Sequence, residues 1–258
     1  MASATADAYA RAASTRTCYH QVQLRMSQQE IVLKIFQFVI LLFALSLHEA
    51  AHAWMASRLG DQTARMLGRV TLNPIKHIDP VGTVLIPLAM LFLSRGFLFG
   101  WARPTPVNTR NFKRVVRDDI LTTLAGPVSN IAAAVASLIA LVIIAKVTPT
   151  GALAIKELVV MGMPAPDLMA ASPIVSPLVI LFYLSIFLNL FLAAFNLLPL
   201  PPLDGSHIIR HLLPYNALRV YDSLGMISLI LILFFGGPIV NLMVSPALYA
   251  FNQVLLRL

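Results

Sequence analysis

The chain has 258 residues, 58% of them hydrophobic and 12% charged, whereas a water-soluble domain carries about 25% charged residues. That balance excludes an ordinary soluble globule and points to an integral membrane protein. The net charge of +8 comes without a polybasic tract or aromatic-basic module and reads as loop charge rather than a nucleic-acid surface, and the single cysteine, Cys18, excludes an internal disulfide or cysteine metal cluster.

Residues 1–25 are small, polar and unlike the rest of the chain, and they lack the apolar centre of a secretory signal. Their Arg-rich, acid-poor composition superficially fits a transit peptide, but Met26 offers a later start, so 1–25 reads as a disordered or dispensable extension. Residues 26–258 read as one membrane-embedded domain. Strong apolar runs lie at 31–57, 120–146, 176–199 and 223–243, each near the roughly 20 residues that a helix needs to cross a bilayer. A fifth run, 83–99, is shorter and holds Pro87 and Arg95. The segment 147–175 is a loop with four prolines, too short for a further globular domain. The expected fold is an all-α integral membrane protein with about four transmembrane helices. A re-entrant or interfacial segment at 83–99 and a short β-hairpin near 65–110 are expected beside them.

Positive charge suggests a topology. Residues 58–119 hold ten Lys or Arg, 200–222 hold Arg210 and Arg219, and 147–175 hold only Lys156. The positive-inside rule then places 58–119 and 200–222 in the cytoplasm. The N-terminus falls outside, where Arg11, Arg16 and Arg25 fit badly; a start at Met26 removes them.

Within the first run, "LSLHEAAHAW" sets Glu49 between His48 and His52. Two histidines four apart share one helical face, one turn above the other. This is the H-E-x-x-H pattern of zinc peptidases, in which two imidazoles bind one metal and the glutamate handles a proton of the attacking water. Histidines satisfied by neighbouring helices are the bland alternative. Ionisable groups inside a span are costly and usually functional, which favours the metal.

Catalytic zinc needs a third protein ligand. The acidic candidates are Asp61, Asp79, Asp118, Asp119 and Asp204; Asp79, with His77 beside it, is the main rival to Asp204. Asp204 comes just after the 176–199 run, in "FNLLPLPPLDGSHI". It can reach His48 and His52 only if the first and third strong spans cross in the same direction. Segment 120–146 supplies one return crossing, so 83–99 must enter and leave on one side. Irregular backbone at that depth is tolerated when buried in protein or lining a wet cavity. The same arrangement brings "AGPVSN", 125–130, to the level of the histidines.

Taken together, "HEAAH", "AGPVSN" and "NLLPLPPLDG" on successive spans resemble the site-2 protease family of intramembrane zinc metalloproteases. "GRVTLNPIKHIDPVGT" and "FGWARPTPVN" look like its compact branch, without PDZ or CBS domains. The resemblance implies one zinc per chain held by His48, His52 and Asp204, with Glu49 as catalytic acid/base. It implies transmembrane protein substrates, a lipid environment and no nucleic acid. Asn130 and Asn196 match family asparagines near the active site, read as donors to substrate backbone or the oxyanion, or as helix-to-helix hydrogen-bonding groups. Gly126 and Pro127 read as packing and a local kink.

Other polar features have plainer readings. His207 and His211 read as surface or supporting histidines, and His77 and Asp79 as a brace for their loop. Segment 99–112 offers either an extended edge for a substrate strand or a solvated loop anchored by Trp101. "RNFKRVVR", 110–117, reads as a cytoplasmic anchor on anionic lipid. A transporter or channel for metal ions or protons is the alternative function, and an inert scaffold a third. The expected location is a bacterial cytoplasmic membrane, with the active site towards the cytoplasm.

Overall fold

A computed structural model describes residues 28–93, 100–223, 225 and 237–258. The chain divides after Phe36. The described part of the first unit is the opening turns of helix α1, Gln28–Leu59; the second unit, from Gln37 onward, carries the rest of α1 and all the other elements. The extension 1–25 lies outside the described residues.

Ten α-helices are described. After α1 come α2 (Thr63–Met66), α3 (Ile86–Leu93), α4 (Val115–Val147), α5 (Pro149–Met161), α6 (Pro166–Ala171), α7 (Val175–Asn196), α8 (Asp204–Arg210), α9 (Tyr215–Ser223) and α10 (Gly237–Leu256). Four of them, α1, α4, α7 and α10, are long and apolar enough to cross a membrane. The 33 residues of α4 extend roughly 50 Å at 1.5 Å per residue, beyond the ~30 Å hydrocarbon core. The ends of such a helix therefore reach polar surroundings. Helix α4 packs along α7, and α10 packs on α7 and α5.

Three expectations change. No strand forms among the described residues, so no hairpin is seen in the described part of 65–110. Short turns replace it: Asn73 Oδ1 accepts from Ile75 N, starting a 3-10 turn at Pro74, and Asp79 Oδ1 accepts from Val81 N and Gly82 N, starting a π-turn at Pro80. Proline removes the N–H that a ladder needs, and the side-chain caps supply a competing partner for the backbone. The segment 147–175 is not one loop, because prolines at the first turns of α5 and α6 start helices there. The run 223–243 falls largely outside the described residues; the described closing helix, α10, runs on to Leu256.

The stretch 83–99 returns to where it began. Trp101 N donates to Gly82 O at 3.1 Å, and Thr83 Oγ1 donates to Trp101 O at 2.7 Å. Ends held this close cannot deliver the chain to opposite faces of a bilayer. Residues 94–99, Arg95 included, lie outside the described residues. Because Trp101 lies back beside Gly82 and Thr83, α4 is the one described span between α1 and α7, so both run in the same sense.

Candidate metal centre

His48 and His52 occupy successive turns of one face of α1 and are both buried. On the facing side of α4, positions 122, 126 and 130 also lie four apart on one face. His52 Nδ1 is 2.7 Å from Thr122 O, and His48 Nδ1 is 2.6 Å from Asn130 Oδ1. Both partners can only accept, so each imidazole carries its proton on Nδ1. Each Nε2 is left with a bare lone pair.

Those lone pairs converge. The two Nε2 atoms are 3.0 Å apart, and Asp204 Oδ2 stands 3.1 Å from that of His48 and 3.4 Å from that of His52. Asp204 Oδ2 is buried without a hydrogen-bond donor, because both imidazole protons are used on the other side of the rings. Three acceptors with no proton among them repel unless a cation sits between them. Two nitrogens and one carboxylate oxygen are a donor set that suits zinc. The ligand atoms of His48, His52 and Asp204 all lie within 4.8 Å of one another.

Local structure brings each group there. Asp204 opens α8, which folds back under the end of α7. A Cβ at Gly205 would meet the Leu197 and Leu198 carbonyls, so the turn requires glycine. Asp119 of α4 tethers the same helix, accepting from His211 Nε2 at 2.7 Å with His207 Nδ1 at 3.6 Å. Gly126 faces the centre: a Cβ there would press on His52 Nε2 and come within 2.6 Å of His48 Cε1. Pro127 beside it has no N–H for the Thr123 carbonyl, which loosens this turn of α4.

Glu49 is half-buried. Thr105 N donates to its Oε2 at 2.8 Å, and Thr105 Oγ1 donates to its main-chain carbonyl at 3.0 Å. The described segment 100–112 is therefore bound to α1 through this pair. Asp79 and His77 are engaged elsewhere, Asp79 in its cap and His77 Nε2 against Thr71 O at 2.9 Å. Asn130 joins the site; Asn196 turns back on its own helix, donating to Leu192 O at 3.0 Å.

Comparison with known proteins decides the family. The sequence model of peptidase family M50 matches residues 36–231, a stretch that holds every group of this centre. The chain belongs to peptidase family M50. This M50 chain is 38% identical to "Putative zinc metalloprotease YwhC" of Bacillus subtilis (strain 168) over 223 residues, covering 85% of this chain and 89% of that protein. It is 28% identical over 202 residues to "Putative zinc metalloprotease Rip2" of Mycobacterium tuberculosis (strain ATCC 25618 / H37Rv), covering 78% and 66% of the two chains. The protein of the same name in Mycolicibacterium smegmatis (strain ATCC 700084 / mc(2)155) is 34% identical over 95 residues, about a third of each chain. No solved structure matches significantly. This M50 member is a zinc metalloprotease with membrane-spanning helices, which sets aside the transporter alternative.

Three contacts at the centre escaped the sequence reading. Thr122 acts through its main-chain oxygen, which no residue type announces. Thr105 likewise engages Glu49 through its N–H. Asn189, whose Oδ1 accepts from Asn130 Nδ2 at 2.9 Å, did carry a signal, as an amide within an apolar span.

Proposed function

We propose that this M50 peptidase cleaves peptide bonds within or near transmembrane segments of other membrane proteins. His48, His52 and Asp204 would hold zinc, and Glu49 would act as acid and base. The observation that carries this reading is the convergence of three bare lone pairs between helices long enough to span a bilayer. When bound there, zinc supplies Lewis acidity that polarises a peptide carbonyl and makes water a nucleophile near neutral pH.

The chain's own groups supply the rest. Glu49 takes a proton from the attacking water and returns it to the leaving amine. Thr105 N–H steadies one carboxylate oxygen and leaves the other for this task. The engagement of Asn130 with His48 supports a bracing role for its amide, while Asn196 is the remaining candidate donor to substrate backbone or oxyanion. An intact substrate helix hides its carbonyls in its own hydrogen bonds, so residues of poor helix propensity near the cleavage site favour attack. An apolar pocket of about 350 Å³ between α1, α4 and α7, lined by Phe43, Leu47, Leu181 and Phe182 among others, supports binding of an apolar segment. The charge distribution supports a centre that faces the cytoplasm, and the bacterial source of the relatives supports a bacterial cytoplasmic membrane.

The test is a purified, lipid-reconstituted enzyme with a membrane-embedded substrate carrying a helix-weakening pair. Glu49→Gln abolishes cleavage while zinc stays bound, and a helix-stabilised substrate is cut more slowly. Undiminished cleavage by the variant would remove Glu49 from the mechanism. Preference for water-soluble peptides over the embedded substrate would remove the intramembrane assignment.

A further inference from the structure

The hydrogen bonds that reach His48 do not stop at Asn130. Asn130 is wholly buried, and an asparagine amide can turn either end towards an imidazole. Its Oδ1 must face His48 Nδ1 if Nε2 is to be free for a metal. Asn130 Nδ2 is drawn the other way, to Ala44 O at 3.3 Å and to Asn189 Oδ1 at 2.9 Å. Asn189 cannot turn around either, since its Nδ2 donates to Ser185 O at 2.9 Å and lies 3.2 Å from Ser185 Oγ. Main-chain carbonyls only accept, so the direction of the whole chain is fixed from Ser185 O outward. Ser137 Oγ, 2.9 Å from Ser185 Oγ, continues the polar line between α4 and α7.

We propose that Asn189 is a positioning residue of the metal centre: acting through Asn130, it fixes the tautomer and ring orientation of His48. The inference rests on the proposed reading of His48 as a zinc ligand. Without the Asn189 acceptor, only the longer bond to Ala44 O at 3.3 Å opposes rotation of the Asn130 amide, and the flipped amide presents Nδ2 to His48 Nδ1. That partner favours the tautomer with its proton on Nε2, which leaves no lone pair facing the metal centre. Groups that orient a ligating histidine in this way typically contribute about 10–100-fold in metal affinity.

The experiment is chelator competition for zinc on the purified full-length protein, comparing wild type, Asn189→Leu, Asn130→Ala, the double variant and His48→Ala. Asn189→Leu keeps the branched shape and loses both hydrogen-bonding ends; Asn189→Ala serves as a second variant that adds no bulk. Either weakens zinc binding by about 10–100-fold. The double variant of positions 130 and 189 is no weaker than Asn130→Ala alone, because the two residues act in series. A merely structural role would instead lower the thermal stability of the Asn189 variants and leave the zinc affinity of the folded protein unchanged. Zinc affinity within about twofold of wild type in both Asn189 variants, with His48→Ala unable to bind, would overturn the role of Asn189 alone. Wild-type affinity in His48→Ala would overturn the ligand assignment with it.

Discussion

A methyl group at position 126 would press on both imidazoles. Neither ring can swing aside, because Asn130 and Thr122 hold the Nδ1 sides at 2.6 and 2.7 Å. Gly126→Ala is therefore expected to lower zinc affinity at least about tenfold, the scale of a displaced ligand, with the helical content of the protein unchanged. Equilibrium dialysis with zinc and circular dichroism read the two effects separately; full zinc binding would show that the rings have room. Legibility at these positions tracks the chemistry. His48, Glu49 and His52 are readable because their arrangement lies within five residues of one helix. Asp204 requires a topological argument to prefer it over Asp79, and the cap that occupies Asp79 is formed by backbone donors with no sequence mark. Gly126 reads as packing in the sequence, whereas its missing side chain is what leaves space at the centre. Asn189 is passed over for Asn196 because an amide in an apolar run does not say which helix it faces.

Between α1 and α4 the chain is held by few but specific bonds. Asp61, wholly buried just past α1, accepts from Thr63 N and Oγ1, Asn108 N and Asn111 Nδ2. Burial pushes its carboxyl up, but the hydrogen bonds from Thr63, Asn108 and Asn111 outweigh that and hold it below the usual carboxylate range. A depressed folded pKa stabilises the fold above the unfolded value of about 4 and loses that contribution as pH falls through the folded pKa. Asp61→Ala, which strands several buried donors, should cost about 3 kcal/mol at neutral pH. In thermal unfolding in detergent, the gap between wild type and Asp61→Asn should narrow as pH drops below about 4. A gap independent of pH would contradict the charged-acceptor role. Among the elements, the three spans α1, α4 and α7 are legible from their apolar runs. The lack of a hairpin in the described part of 65–110 is not, because side-chain caps at Asn73 and Asp79 compete with strand pairing. The run 223–243 lies largely outside the described residues; polar residues such as Asn241, Ser245 and Asn252 dilute the hydropathy of α10 and hide its extent to Leu256.

Over the whole molecule, one feature of the topology makes the site feasible: Trp101 lies back beside Gly82 and Thr83, so α1 and α7 run in the same sense and their C-terminal ends meet. With Cys18 replaced by serine, cysteines placed at Arg110 and Leu212 should react with a membrane-impermeant thiol reagent from the same side. One placed at Met161 should react from the opposite side. Labelling of Arg110→Cys and Leu212→Cys from different sides would break the topology. Sequence and structure reach this arrangement by separate routes, the first from positive charge and the second from the Gly82–Trp101 closure. The most direct measurement is zinc per chain in purified wild type, His48→Ala and Asp204→Ala. One zinc per chain in wild type and loss in both variants is the predicted result. Full zinc retention by Asp204→Ala would show that the distant carboxylate does not join the two imidazoles on one ion.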